Sequence, residues 1–186
     1  MSPLLIILGV VVLLAVVIIG IYNRLVALRQ TCNQAWSDIE VQLKQRQDLI
    51  PNLVNVVKGY AKHEKETLQA VIDARNAAIS ASSVGDTVKA EGLLGQAMGK
   101  LFALAEAYPD LKANQNFLQL QDELSDVENK ISAARRFYNN SVQEYNTGRE
   151  QFPANMLAGP FNFSEREFFE APEGREALQT VPNVDF

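Results

Sequence analysis

The chain has 186 residues, of which 47% are hydrophobic and 21% charged, as in one globular domain of average size. A single cysteine, Cys32, excludes an intramolecular disulfide, and a single histidine, His63, excludes any metal site that needs two imidazoles. The net charge of −5 comes from residues 150–186, which carry 2 basic and 7 acidic side chains. No part of the chain is basic enough to follow a phosphate backbone, so we expect no nucleic-acid partner.

The first element is an uncharged run over residues 4–22, with Leu4 and Tyr22 at its ends. At about 1.5 Å per residue, a helix of this length spans a hydrocarbon core of roughly 30 Å, so the run predicts a transmembrane helix in a lipid bilayer. Ser2 and Pro3 supply an N-cap and a first helical residue. The alternative is a cleaved signal peptide, but the basic start, shorter apolar run and small-residue cleavage site of such a peptide are absent.

The residues after this run predict its orientation. Arg24 and Arg29 follow it before the first acid, Asp38, and basic residues near a membrane end tend to stay in the cytoplasm. We therefore expect a short N-terminus outside and a cytoplasmic C-terminal domain. We divide the chain into an anchor at 1–23, a helical domain at 24–149 and a Phe-rich acidic tail at 150–186.

The next arm is helical by its apolar spacing of threes and fours, which begins at Leu25 and continues to Ile79. Pro51 lies inside this pattern and cannot donate a hydrogen bond to the carbonyl four residues earlier. We expect the helix to kink or restart near Leu49 and Ile50, and we expect Gly85 and Asp86 to end this arm and cap the next one.

Two further arms complete the helical pattern. In the arm from 86 to 108, Gly95 and Gly99 lie close to the apolar stripe, which predicts a close helix approach inside a soluble bundle. The arm from Phe117 to Tyr145 keeps its apolar spacing over four heptads, as in coiled-coil-like packing. No strand signal occurs, so the predicted fold is all-α: a transmembrane helix followed by a long antiparallel bundle of three to four helices.

The tail holds six of the nine phenylalanines and four of the seven prolines. A disordered tail would be poor in aromatic residues, so we expect residues 152–172 to pack along the bundle, with a short helix from Ser164 to Phe169. The alternative is a peptide that docks on a partner, because exposed phenylalanines would form an apolar patch.

The sequence contains no motif for a catalytic nucleophile, a nucleotide or a dinucleotide, so we predict no catalytic residue, no metal and no cofactor. Cys32 lies on the apolar stripe and is interpreted as a small buried hydrophobe. Polar residues near Pro51 and on the last helix suggest a notch in which side chains satisfy freed backbone carbonyls and a partner could bind, although a solvated surface is the simpler interpretation. The candidate residues are Arg46, Asp48, Pro51, Asn52, Arg75, Arg135, Arg136, Tyr138 and Asn139.

Several stretches of the chain resemble the bacterial LemA family. They are NQAWSDIEVQLKQRQDLIPNLVNVVKGYAKHE (33–64), YPDLKANQNFLQLQ (108–121), ARRFYNNSVQEYN (134–146), FPANMLAG (152–159) and the terminal VDF (184–186). The resemblance implies an N-terminal helix in the bacterial inner membrane and a mainly four-helix cytoplasmic bundle. It also implies that Arg46, Pro51, Asn52, Tyr60, Arg135, Tyr138 and Asn139 are family hallmarks. It carries over no catalytic role, and it suggests a membrane protease of the HtpX type as a partner.

Three functions remain open at this point. The first is a non-enzymatic membrane-tethered interaction or scaffold protein that forms homo-oligomers, since long heptad seams pair between chains as well as within one. The second is a membrane-remodelling polymer. The third is an enzyme that uses carboxylates such as Asp48 or Glu128, which would then be buried in a pocket.

Overall fold

The computed structural model of the chain describes residues 2–169, which are helical or irregular and contain no strand. The helices are α1 (Pro3–Tyr60), α2 (Lys65–Ser80), α3 (Val84–Ala105), α4 (Pro109–Lys112), α5 (Gln115–Glu150) and α6 (Asn155–Ala158). The predicted all-α fold class is therefore confirmed. The part of the predicted tail from residue 170 onward lies outside the described residues.

The N-terminal part of α1 is apolar and fully exposed. The helix begins at Pro3, as predicted, and its most apolar 18-residue window has a mean hydropathy of 3.5 with none of its residues buried. The core helix of a soluble protein would bury such residues, whereas Leu4 is 75% exposed here. This segment is a candidate membrane span by length, composition and exposure.

The predicted restart at Pro51 is wrong, because α1 continues through it to Tyr60. Ile50 and Leu53 on either side of the proline are completely buried, and this packing holds the helix together despite the one missing hydrogen bond. The chain leaves the helix only at residues 61–64. The predicted cap at Gly85 and Asp86 is also wrong, because both residues lie inside α3. Ser83 caps this helix by accepting a hydrogen bond from the Asp86 amide at 3.0 Å.

The described residues form two compact units. The anchor unit consists of residues 2–39 and 134–168, and the bundle unit consists of residues 40–133 with Phe169. Each unit takes one part of α1 and one part of α5, and each is described here by itself. The predicted division at residues 23 and 149 stays a prediction.

The bundle unit packs α2, α3, the end of α1 and the start of α5 around an apolar core. The stripes predicted from the spacing supply this core, and its largest fully buried members include Ile50, Leu53, Val71, Leu94 and Leu101.

The predicted close approach at Gly95 and Gly99 is wrong. Both glycines are exposed, and a Cβ built on either would meet nothing within 4 Å. The buried face of α3 is formed by Ala90, Leu94 and Leu101 instead, so the two glycines lie beside the apolar stripe and not in it.

In the anchor unit, α1 and α5 run antiparallel, since the Cys32 Sγ donates to the carbonyl of Ser141 while Leu28 faces Gly148. A Cβ on Gly148 would lie 2.8 Å from Leu28 Cδ1, so this glycine permits a close helix contact. The predicted burial of Cys32 is confirmed, with 0% of the residue exposed.

The described part of the tail packs on the helices of the anchor unit, but not in the predicted form. Residues 163–169 are irregular, and the short helix lies earlier, at Asn155–Ala158. Phe163 is buried beside Tyr22, whereas Phe152 is 80% exposed. The predicted helix from Ser164 to Phe169 is wrong, because backbone groups of this segment form hydrogen bonds with side chains of α5 and not with one another.

Candidate functional site

The predicted notch residues do not form one described site. Arg46, Asp48, Pro51, Asn52 and Arg75 belong to the bundle unit, whereas Arg135, Arg136, Tyr138 and Asn139 belong to the anchor unit. Whether any of them binds a partner stays a prediction. Two separate polar constellations are found instead, one in each unit.

The bundle unit contains a buried ion pair. Arg46 on α1 is 4% exposed and Glu91 on α3 is 3% exposed, and the guanidinium Nη2 meets the Glu91 carboxylate. Arg46 Nη1 donates to Oε2 of Glu128 at 2.5 Å, and Gln47 Nε2 donates to Oε1 of Glu91 at 3.4 Å. Removing each charge from water costs several kcal/mol, and only the opposite charge and its hydrogen bonds offset that cost. Separating the groups would lose this compensation, so the contacts favour one arrangement of α1, α3 and α5.

Pro51 leaves one backbone carbonyl of α1 without its helical donor, and that carbonyl accepts a hydrogen bond from another helix instead. The acceptor four residues before Pro51 is the oxygen of Gln47, and Arg75 Nε on α2 donates to it at 2.6 Å. The proline therefore creates a docking point for an arginine of the next helix while α1 stays continuous.

The other polar residues near Pro51 face solvent. Asn52 is exposed, and Asp48 is exposed and pairs with Lys44 one turn earlier on the same helix. The side chain of Glu128 is 53% exposed. The carboxylates named for an enzyme are thus not buried as that hypothesis requires.

In the anchor unit, α5 side chains bind the backbone of the tail. Asn146 makes two hydrogen bonds with the main chain of Arg166, donating from Nδ2 to the carbonyl at 2.9 Å and accepting from the amide at 3.0 Å. Arg149 Nε donates to the carbonyl of Phe163 at 3.2 Å. The Arg166 side chain reaches back to α1, where Nη2 donates to Oδ1 of Asn33 at 2.6 Å.

Two buried tyrosines of α5 complete this set. The Tyr138 hydroxyl donates to the carbonyl of Glu167 at 3.0 Å, and the Tyr145 hydroxyl donates to that of Ser164 at 2.9 Å. We call Tyr138, Tyr145, Asn146 and Arg149 the tail clasp. Its hydrogen bonds to the tail all go to main-chain atoms, so the clasp fixes an extended backbone. Two side-chain contacts add to them, since Arg149 lies 3.8 Å from the Glu165 carboxylate and the Arg166 guanidinium lies over the Tyr145 ring.

The remaining three predicted residues of this unit differ in exposure. Arg135 and Asn139 are half-buried, whereas Arg136 is exposed. Of the four predicted residues in the anchor unit, Tyr138 alone belongs to the clasp.

Burial sets the ionisation of the groups around the clasp. It raises the pKa values of Cys32, Tyr138 and Tyr145, and the nearby positive charge of Arg166 opposes part of each rise. The phenols therefore stay neutral donors at physiological pH, and the Cys32 thiol stays protonated and donates to the Ser141 carbonyl at 3.2 Å. Such a thiol is a packing group and a poor nucleophile.

An open groove of about 570 Å³ lies between α1 and α5 of the anchor unit. Arg24 lines the end close to the apolar span, and Phe137 and Asn140 line the other end. Glu144, Thr147 and Gln151 also line the groove, so its surface combines polar and charged groups with an apolar part of similar size. Among the described residues, no group of three or more His, Cys, Asp or Glu side chains is placed to hold a metal ion.

Sequence reasoning missed two residues that matter for these sites. Glu91 is charged, yet it lies four residues after Thr87 and three before Leu94 on the buried stripe of α3, so the spacing alone could have found it. The role of Asn146 depends on where the tail returns, which no spacing in the helices reveals.

An exposed apolar helix that continues into an all-α domain defines a membrane-associated helical protein. The comparison with known families agrees. The profile of the LemA family matches residues 35–186, and the chain belongs to this family.

Several individual relatives are similar over most of their length. The magnetosome protein MamQ of Magnetospirillum gryphiswaldense is 25% identical over 186 aligned positions, which cover 86% of this chain and 68% of the relative. The magnetosome protein MamQ 2 of Paramagnetospirillum magneticum gives the same identity and coverage. The protein LemA of Metamycoplasma hominis is 29% identical over 159 positions, which cover 84% of this chain and 72% of the relative.

Proposed function

We propose that the protein is a membrane-anchored interaction protein without enzymatic activity, held in the bacterial inner membrane with its helical units in the cytoplasm. The observation that carries this proposal is the continuity of α1. One helix runs from the exposed apolar span to Tyr60 and supplies buried residues such as Leu25 and Leu53 to both units. The span therefore joins the helical units directly, as suits a protein that presents a surface at the bilayer.

The use of the polar residues supports a structural role. The buried charges of Arg46 and Glu91 neutralise each other. Asn146 and the two clasp tyrosines form their hydrogen bonds with the backbone of the chain's own tail. A catalytic constellation would instead aim reactive groups into a cleft. The enzyme alternative has less support, because Asp48 and Glu128 are exposed.

The surface offers hydrophobic residues for a protein partner. Leu93 of α3 is 57% exposed, Leu118 of α5 is 45% exposed and Phe137 of α5 is 50% exposed. Aromatic and large aliphatic residues at a surface are typical anchors of protein contacts. We propose that further copies of the chain, or a membrane protease of the HtpX type, contact these residues.

Site-specific photo-cross-linking in intact bacterial membranes tests this proposal. A photoreactive amino acid at Leu93 or Phe137 is expected to give discrete adducts with a second copy or with the protease, identified by mass spectrometry. The matched control is Asn129, which is exposed on α5 and carries no large apolar side chain. If Leu93 and Phe137 give no more adduct than Asn129, and the chain stays uncross-linked, the interaction role is contradicted.

Membrane remodelling is the second candidate, because α1 is a single helix of 58 residues that joins the apolar span to the helical units. A polymer of such chains on one leaflet would impose curvature. Purified chain added to vesicles should then deform them in electron micrographs, whereas spherical vesicles carrying the inserted chain would exclude this role. The names of the MamQ relatives place those proteins with the magnetosome, which fits a function at a membrane.

A further inference from the structure

We propose that the groove between α1 and α5 of the anchor unit binds the headgroup of a zwitterionic phospholipid that carries a primary ammonium, as in phosphatidylethanolamine. This inference rests on the proposed membrane anchoring. Its basis is the position of the groove relative to the apolar span and the order of the charges along it.

The groove begins where the hydrocarbon ends. Arg24 follows Tyr22, the last residue of the apolar run, by two positions, so about 3 Å of helix separates them. The polar headgroup region of a bilayer adds about 5 to 8 Å on each side of the hydrocarbon core. The Arg24 end of the groove therefore lies at the depth of the lipid phosphates, whichever way the chain is oriented.

The charges follow the order found in the headgroup. Because α1 and α5 run antiparallel with Leu28 opposite Gly148, Glu144 lies one to two helical turns farther from the span than Arg24. In phosphatidylethanolamine the phosphate lies next to the glycerol and the ammonium lies farther out. The cation of the groove thus faces the phosphate, and its carboxylate faces the ammonium, as charge-assisted hydrogen bonds require.

Both charged groups are available for a ligand. Arg24 and Glu144 are exposed, and neither forms a salt bridge with another residue between 2 and 169. Their charges cancel, which favours a neutral zwitterion over an anionic lipid. The amides of Asn140, Gln143 and Gln151 add donors and acceptors along the groove, and its volume of about 570 Å³ lies in the range of small-molecule sites.

Native mass spectrometry of the full chain tests the proposal. The chain is reconstituted into bilayers with equal parts of dioleoyl phosphatidylethanolamine and dioleoyl phosphatidylcholine, extracted in mild detergent, and its retained lipids are counted. We expect the ethanolamine lipid to be retained about two- to fivefold more than the choline lipid, because the quaternary choline has no N–H to donate to Glu144. Glu144→Gln should abolish this preference, and Arg24→Gln should reduce the retention of both lipids.

The matched control is Asp38→Asn, which removes an exposed acid of the same unit that does not line the groove and should leave the preference unchanged. Equal retention of the two lipids by the unaltered chain would overturn the proposal. Stronger retention of dioleoyl phosphatidylglycerol than of the ethanolamine lipid, in a second bilayer with equal parts of these two, would also overturn it. Flotation with vesicles separates the two proposals. A chain that floats without a lipid preference overturns the headgroup site alone, whereas a chain that does not float overturns the anchoring and the site together.

Discussion

The two units of this protein are held together by different chemistry. The bundle unit is stabilised by apolar residues at helical spacing, with one charged cluster around Arg46 in its interior. The anchor unit instead uses α5 side chains such as Asn146 to bind the backbone of an extended tail. Apolar packing tolerates exchange among hydrophobic residues, whereas a buried polar contact fails when one partner is lost. The units should therefore respond to different substitutions.

The largest effect is expected at the buried ion pair of the bundle unit. Arg46→Met leaves the Glu91 carboxylate, whose side chain is only 1% exposed, without its cation. An uncompensated buried charge costs about 3 to 5 kcal/mol, so the free energy of unfolding should fall by that amount. Denaturant titration of the full chain in detergent, followed by circular dichroism, measures the loss.

The second variant and the control decide whether the charge causes this loss. Arg46→Met combined with Glu91→Leu should recover most of the stability, because an apolar pair of similar volume replaces the ions. Glu128→Gln should cost under about 1 kcal/mol, since that side chain is half exposed. Equal losses from Arg46→Met and Glu128→Gln would contradict the assignment.

The next effect is expected in the anchor unit and should be local. Asn146→Ala removes both hydrogen bonds to the backbone of Arg166, each of which contributes about 0.5 to 1.5 kcal/mol. Residues 163–167 should then detach from α5 while the helices persist. Hydrogen exchange would show faster exchange of the Arg166 amide, and Asn129→Ala, on an exposed face of α5, should not change it. An unchanged Arg166 amide in Asn146→Ala would show that the clasp does not hold the tail.

A smaller and pH-dependent effect distinguishes the clasp tyrosines. Burial raises the pKa of Tyr138 above its ordinary value of about 10, and the neutral hydroxyl donates to the carbonyl of Glu167. The stabilisation is therefore complete below pH 10 and is lost as the pH rises through the higher pKa of the folded state. The denaturant concentration at the unfolding midpoint should therefore decrease in the unaltered chain as the pH rises above 10.

Tyr138→Phe should lose about 0.5 to 1.5 kcal/mol at neutral pH and show a shallower alkaline decline. The control is Tyr60→Phe, since Tyr60 is exposed and accepts a hydrogen bond from Asn114. It should keep the decline of the unaltered chain. The same decline in Tyr138→Phe would mean that other groups cause the alkaline loss.

The sequence predicted most of the helical architecture and little of the tail. The spacing of apolar residues identified the span, the long last helix and buried positions such as Leu94 and Ile131, because helical periodicity is a local property of the chain. It also predicted a kink or restart near Leu49 and Ile50, and the restart was wrong because tertiary burial of Ile50 and Leu53 outweighs one lost hydrogen bond. A prediction from the local sequence takes the proline into account, but it does not include the tertiary packing around that proline.

The candidate site was harder to predict for a related reason. Arg46 and Arg75 were named from their proximity to Pro51, and both make interhelical contacts. The partner of Arg46, Glu91, lies 45 residues farther along the chain on another helix. The contacts of Asn146 lie on a segment with no periodicity at all. A spacing pattern indicates which face of a helix is buried, and it does not indicate which segment covers that face.

The smallest expected effect concerns Gly95, for which the predicted close helix approach was wrong. Gly95→Ala adds a Cβ that meets nothing within 4 Å, so the higher helix propensity of alanine should raise the free energy of unfolding by about 0.5 to 1 kcal/mol. Gly148→Ala gains the same propensity but places its Cβ 2.8 Å from Leu28 Cδ1, so its net gain should be smaller or negative. Denaturation midpoints of the two variants measure the difference. A loss of stability in Gly95→Ala would mean that α3 has a close neighbour at Gly95, as the Gly95-x-x-x-Gly99 spacing first suggested.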